Sequence, residues 1–213
     1  SKFRKKIRSI LQQIGDRGGI TLNIGQPLFG LASPDTAIFL CYDHEKIMQE
    51  AIHRYVEVIK KIMDIAMEEG IILFFASQLT KNMLSPDMVK QWIIPSACAL
   101  RKHCRENQAF YYLHECGNML ENIKRGFFHE IDPDWCEGFE QPPMGDIANL
   151  GEIRKKFPAK IVFKGNLNNE FVAKSSPSDV EKATHHLLKE IEGYRHIVGA
   201  GCSLLRGSRL SIA

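Results

Sequence analysis

Ala109-Phe-Tyr-Tyr-Leu-His114-Glu115-Cys116-Gly117-Asn118 is the stretch on which the fold turns. Phe110 to Leu113 is an apolar, aromatic run of strand length. It passes without a turn into a histidine, a carboxylate and a cysteine, and then into Gly117 and Asn118. Ahead of it, Ser85 and Pro86 open a helix that the pattern carries to about Asn107, with Ser85 as cap and Pro86 at the first position. A helix, a short buried strand and a polar strand end form one α-β unit. The same unit recurs in both directions along the chain.

Upstream, Lys2 to Ile14 reads as a helix closed by the glycine-rich turn Gly15 to Gly19, and Ile20 to Gly25 as a short strand. Gln26 to Pro34 is a loop, and Thr36 to Tyr42 a short helix. Asp43 is the expected N-cap of a long helix ending at Gly70. Its apolar stripe is Ile47, Ala51, Tyr55, Val58, Ile62, Ile65 and Ala66. Ile71 to Ser77 is the second strand. Downstream of the third strand, Ala109 to His114, come a helix from Asn118 to Arg125 and a strand from Asp134 to Phe139. A helix from an Asp146 cap to Phe157, a strand from Lys160 to Lys164 and a helix from a Ser178 cap to Glu192 follow. The last strand is Arg195 to Ala200.

Repeated β-α order requires parallel strands, because each crossover returns the chain to the same end of the sheet. An open doubly wound sheet and a (β/α)8 TIM-type barrel both satisfy it. The first prefers a glycine-rich phosphate loop after its first strand, whereas here that position reads Gly25-Gln-Pro-Leu-Phe-Gly30. The barrel is therefore expected. Six strands do not close the usual eight-stranded ring, so residues 1–213 are read as a single partial barrel domain lacking about two strands at its N-terminal side.

Composition is that of a globular protein: 44% hydrophobic and 25% charged residues over 213 positions, with a formal net charge of +3. That charge is too slight for a nucleic-acid partner, and the basic run Lys2 to Arg8 reads as a solvated helix face. No apolar run approaches the ~20 residues of a membrane span. The six cysteines follow no secretory leader, so reduced thiols in a cytoplasm are expected.

In parallel sheets, reactive groups collect where strands end. His114 and Cys116, two apart in extended chain, face one point. His196-Ile-Val198 ends in Gly199-Ala-Gly201-Cys202, which brings a second cysteine to the rim. One nitrogen and two sulfurs make a catalytic kind of zinc set with an open fourth position; the plainer alternative is that all three merely pack. Glu137 and Glu140, after the fourth strand, are each read as an additional or displaceable metal ligand or as a base, with Glu140 otherwise a loop carboxylate. Cys136 alternates against Glu137 and is expected to face the helices. His44, His53, His103, His185 and His186 fall within or at the start of helices. No G-x-S-x-G element or Ser-His-Asp set stands out.

His114-Glu-Cys-Gly-Asn118 after a strand resembles the H-x-C-G-N element of the uroporphyrinogen decarboxylase superfamily. Ser85-Pro86-Asp-Met-Val-Lys-Gln-Trp-Ile-Ile-Pro95 is similar to its "S-P-E-x-x-x-x-F-x-x-P" helix. Pro142-Pro-Met-Gly-Asp146, Lys164-Gly-Asn166 and Gly201-Cys202 follow in the family's order, so the resemblance spans about residues 20 to 213. One departure lies after Cys202, where Ser203 to Ser211 lacks the family's Pro and Asn.

The H-x-C element with a distant Cys resembles the zinc methyltransferase branch, which includes methylcobalamin:coenzyme M methyltransferases and, more distantly, cobalamin-independent methionine synthase. The resemblance implies Zn2+ on His114, Cys116 and Cys202, with Glu137, then Glu140, as a further ligand. It also implies methyl transfer between a corrinoid (a corrinoid protein or free methylcobalamin) and a small-molecule thiol. A docked corrinoid would be met at the barrel mouth by Asn118, Phe127 and Phe139. A metal-free decarboxylase is the alternative activity, and a non-catalytic corrinoid-protein-binding remnant the third reading. Direction of transfer and self-association, including a homo-oligomer, stay open.

Overall fold

The computed structural model describes residues 1–77 and 83–202. Six strands form one sheet in the order β1-β2-β3-β4-β5-β6, an α/β arrangement with sequential neighbours throughout. The chain divides into two compact units. The first holds residues 1–77, 87–112 and 130–132, and the second, among the described residues, 83–86, 113–129 and 133–202.

The first unit begins with α1 (Lys2–Ile14), β1 (Thr21–Asn23), α2 (Pro27–Leu31), α3 (Pro34–Asp43), α4 (Glu45–Glu68) and β2 (Leu73–Ser77). β1 pairs with β2 in parallel, Leu22 opposite Phe74. The stretch expected as one helix after Ser85 is α5 (Pro86–Met88), a π-helical turn (Val89–Ile93) and α6 (Ile94–Glu106). Residues Gln26 to Pro34, expected as loop, instead hold α2, with the Gln26 side chain accepting from Leu28 N at 2.5 Å. Asp43 ends α3 rather than capping α4; His44 occupies the junction.

The buried face of α4 is Met48, Ile52, Val56, Ile59, Met63 and Ala66. The expected stripe is rotated by about one residue, or 100°. Ile47 is 68% exposed and Val58 49%. Apolar residues occupy two neighbouring rows of this helix, so periodicity alone supports either row. α4 packs on α2, α3 and α6, the last of which buries Ala97 and Leu100. At its C-terminus Glu69 clamps α1, accepting from Arg4 Nη1 at 3.0 Å and from Arg8 Nε at 2.5 Å.

The strand β3 (Phe110–Glu115) leads into the second unit. There follow α7 (Leu120–Lys124), α8 (Phe127–Ile131), β4 (Trp135–Gly138), α9 (Leu150–Arg154), β5 (Val162–Leu167), α10 (Asn169–Lys174), α11 (Pro177–Glu190) and β6 (His196–Ala200). β4 pairs with β5 and β5 with β6, both parallel. The expected caps shift: Asn149, not Asp146, accepts from Glu152 N, and Ser176, not Ser178, accepts from Asp179 N. Each shift follows from a closer side-chain oxygen winning the first free amides. Helices α8 and α10 lack a periodic pattern long enough to be read from sequence. Among the described residues no helix is long and apolar enough to cross a membrane.

The core of this unit is aromatic. Phe139 stacks on Phe163 at 4.7 Å between centroids, with Phe157 edge-on to both. The fully buried Arg154 lies 4.9 Å from the Phe163 centroid and 4.6 Å from that of Tyr194. Its guanidinium donates to the carbonyls of Phe157, Pro158, Ala159 and Ile161, so the buried cation is met by backbone oxygens rather than by a carboxylate.

The Glu69 clamp carries a signed pH dependence. Hydrogen bonds from Arg8 and then Arg4 lower the Glu69 carboxyl to about 2. A carboxyl depressed in the folded state contributes stability above its unfolded pKa of about 4.3 and loses it as pH falls through the folded value. Glu69→Gln is therefore expected to flatten the acid limb of stability between about pH 4.5 and 2, read by urea denaturation at stepped pH. An acid limb as steep as the parent's would contradict the clamp.

Candidate metal centre

β3 ends in His114-Glu115, and Cys116 follows directly. The pleat sends His114 and Cys116 to one side and the fully buried Glu115 to the other. Two residues beyond β6, Cys202 joins them. His114 Nε2 lies 3.3 Å from Cys116 Sγ and 3.5 Å from Cys202 Sγ. The sulfurs are 3.7 Å apart, far beyond a disulfide bond of about 2.05 Å, and both cysteines are free. Among the described residues this is the one group of three or more His, Cys, Asp or Glu donors close enough to share an ion.

A tetrahedral zinc with Zn–S of about 2.3 Å and Zn–N of about 2.0 Å sets its donors about 3.5–3.8 Å apart. The three separations here, 3.3, 3.5 and 3.7 Å, match the edges of one face of that tetrahedron. Hydrogen bonds to the Cys116 sulfur, then to the Glu137 carboxylate, push the His114 pKa up to about 11, although burial opposes them; ligation through Nε2 would displace the proton there. The residues present fit a zinc ion.

Glu137, from β4, sits behind the imidazole. Its Oε1 is 2.8 Å from His114 Nδ1 and its Oε2 2.7 Å from Lys164 Nζ. An ionised carboxylate only accepts, so Nδ1 carries the proton and Nε2 is the atom turned to the sulfurs. Burial acts to raise the Glu137 carboxyl, but the hydrogen bonds from His114 and Lys164 outweigh it and leave it below its ordinary value. Lys164 is Glu137's partner in the β4–β5 register, a role the sequence reading did not assign. The signal available was a lysine beside a reactive strand end in Lys164-Gly-Asn166.

Glu140 turns its carboxylate to other partners than the three donors. It is 7% exposed, with Oε2 accepting from Gly117 N at 2.8 Å and Oε1 from Asn169 Nδ2 at 3.3 Å. Asp146 Oδ1 accepts from the amides of Met119 and Leu120, which places it at the start of α7 rather than of α9. Asn118 is half-buried. Phe127 and Phe139 are not rim residues: they are 3% and 0% exposed, and Phe139 belongs to the aromatic core. Large rings after a strand bury more apolar area under the helices than a solvated mouth allows. Ser203 to Ser211, where the family's Pro and Asn are missing, lies outside the described residues.

The remaining cysteines are elsewhere. Burial pushes the Cys41 thiol up to about 11 and that of the fully buried Cys136 well above its ordinary value. Both act as small apolar groups, and Cys136 alternates against Glu137 as expected.

Comparison with known proteins agrees with this architecture. The profile of the family Uroporphyrinogen decarboxylase (URO-D) matches residues 28–211, and the chain belongs to that family. A search of curated proteins found no match. Among solved structures, a methyltransferase from Methanosarcina mazei superposes with a TM-score of 0.77 at 16% identity, over 96% of this chain and 59% of that one. A candidate vitamin-B12 independent methionine synthase from Listeria monocytogenes gives 0.64 at 8% identity, covering 94% and 62%. A B12-independent methionine synthase from a Shewanella species, in complex with selenomethionine, gives 0.56 at 14% identity, covering 94% and 59%. At these identities the likeness is one of fold. The chain spans about three fifths of the length of the structures it matches.

Close approach of β4 to the ligand-bearing strand needs glycine at 138. Its φ is +106°, and a Cβ there would lie 1.9 Å from the Glu115 carbonyl oxygen. Phe139 N donates to that same oxygen at 3.0 Å. Gly138→Ala is expected to cost about 3 kcal/mol or more in chemical denaturation, through strain and loss of this contact. A variant as stable as the parent would show that the two strands are not held this closely.

Proposed function

We propose that the chain is the zinc-binding part of a methyltransferase that moves a methyl group between a corrinoid and a small-molecule thiol. The observation that carries this reading is the convergence of His114 Nε2, Cys116 Sγ and Cys202 Sγ at tetrahedral edge lengths. Bound there, zinc would supply a Lewis acid with an open position that favours the thiolate form of a thiol substrate.

The chain's own residues prepare that position. His114 and the two cysteines would hold the metal, and the two protein sulfurs would keep it electron-rich. Glu137 fixes the imidazole by accepting from Nδ1, the arrangement in which a carboxylate raises the basicity of a ligating histidine. Lys164 occupies the other Glu137 oxygen and balances its charge. With both its oxygens engaged, Glu137 serves as the orienting carboxylate behind His114 rather than as a base. Glu140, likewise engaged on both oxygens, serves as a support. Family membership and the methyltransferase neighbour are compatible with this reading, and the donor set supports it over a metal-free decarboxylase, which does not need two converging cysteines.

The full-length protein purified with zinc in the medium is expected to contain about one zinc per chain. Cys202→Ala or His114→Ala should abolish stoichiometric binding, and Glu137→Ala should weaken it about 10- to 100-fold without unfolding the chain. Methylation of a thiol by methylcobalamin should follow zinc content across these variants. A folded, metal-free wild type that decarboxylates a porphyrinogen would replace this reading with the decarboxylase. A zinc-loaded but inert full-length protein would leave a corrinoid-protein-binding role in its place.

A further inference from the structure

We propose that Glu140 and Asn169 form a positioning pair that sets the distance between the Cys116 and Cys202 sulfurs. The function of that spacing rests on the metal reading above; the spacing itself does not. Cys116 and Cys202 come from strand ends far apart in the chain, and their side chains meet each other and His114 at 3.3–3.7 Å. A second chain of contacts, through Glu140 and Asn169, ties the two loops together. Gly117 N, next to Cys116, donates to Glu140 Oε2 at 2.8 Å. Glu140 Oε1 accepts from Asn169 Nδ2 at 3.3 Å. Asn169 Oδ1 in turn accepts from the Cys202 amide at 2.9 Å.

Each member is itself fixed. The Glu140 carbonyl accepts from Ile147 N at 3.2 Å, and a Cβ on Gly145 would lie 2.2 Å from that carbonyl oxygen. A Cβ on Gly201 would lie 3.1 Å from Glu140 Cγ, so the cysteine loop rests on the Glu140 stem as well as on its charge. Gly201 N donates to Leu167 O at 2.8 Å, which ties the same loop to the end of β5. Asn169 opens α10, whose cap is the neighbouring Asn168; its own amide group is thereby free to bridge rather than cap. A carboxylate 7% exposed is costly to bury unless both oxygens are engaged, and here each has a donor. The pair is a support on which the two sulfurs are held at one separation.

The two acceptors and two donors also allow an exchange. In Glu140→Gln the new amide nitrogen would face the Asn169 amide, donor against donor. Adding Asn169→Asp puts an acceptor opposite it and keeps acceptors for both Gly117 N and Cys202 N. The expected order is therefore wild type, then the double exchange close to it, then either single change well below.

Two probes read the sulfur spacing in the folded full chain. The first is cobalt(II), whose thiolate charge-transfer absorption reports how many sulfurs bind, with Cys202→Ala as the one-sulfur standard. The second is phenylarsine oxide, which bridges two thiols and needs no metal. Glu140→Gln and Asn169→Ala are expected to bind both probes about 10- to 100-fold more weakly, with cobalt absorption shifted toward the one-sulfur standard. The double exchange should recover most of that loss. Wild-type affinity and two-sulfur absorption in the single variants, or equal loss in the double exchange, would overturn the proposal. A wild type with no cobalt–thiolate absorption would sink the metal reading instead, and the arsenical series would still decide the pair.

Discussion

In a strand, side chains two apart share a side, and a parallel sheet delivers every strand end to the same edge. Those two constraints place His114 and Cys116 together and leave Glu115 pointing into the packing behind them. They also place Glu137 and Lys164, partners in the β4–β5 register, in line behind the imidazole. If β3 slipped by one residue, Glu115 would replace both donors on the site side, because the side-chain period is two. The metal reading, the orienting carboxylate and the positioning pair all depend on that register.

Two carboxylates one turn of loop apart do different work because their partners differ. Glu137 lies between an imidazole and an ammonium, each able to carry positive charge, so it sits in an electrostatic relay that ends on His114 Nε2. Among the described residues, Glu140 meets only amides, from the Gly117 backbone and the Asn169 side chain. Amides fix position without adding charge. The first carboxylate therefore tunes a donor atom, and the second fixes where donor loops lie.

The α/β order, all six strands and the three converging donors were legible from the sequence, because strand-length apolar runs and the H-x-C pattern are local signals. Lys164 and Asn169 were not, since their roles exist only through register and loop closure, which no window of sequence contains. The stripe of α4 was misplaced by one residue because Ile47 and Val58 are as apolar as the buried Met48 and Ile59 beside them. Phe127 and Phe139 were read as rim residues from their position after Cys116 and on the fourth strand. Position along the chain fixed the edge but not the side, and Phe139, with a positive φ of 53°, turns back under the helices.

Membership of a family named for a decarboxylase leaves the chemistry open, since a barrel hosts many reactions and the site decides among them. A decarboxylation of porphyrin side chains calls for groups that bind carboxylates and move protons. The strand ends among the described residues offer two thiols 3.7 Å apart with an imidazole between them. Deprotonated together, sulfurs held that close would repel, and burying them would cost further desolvation. A cation with affinity for sulfur would remove both penalties at once, and Nε2, the nitrogen turned to both sulfurs, is the third donor it would meet.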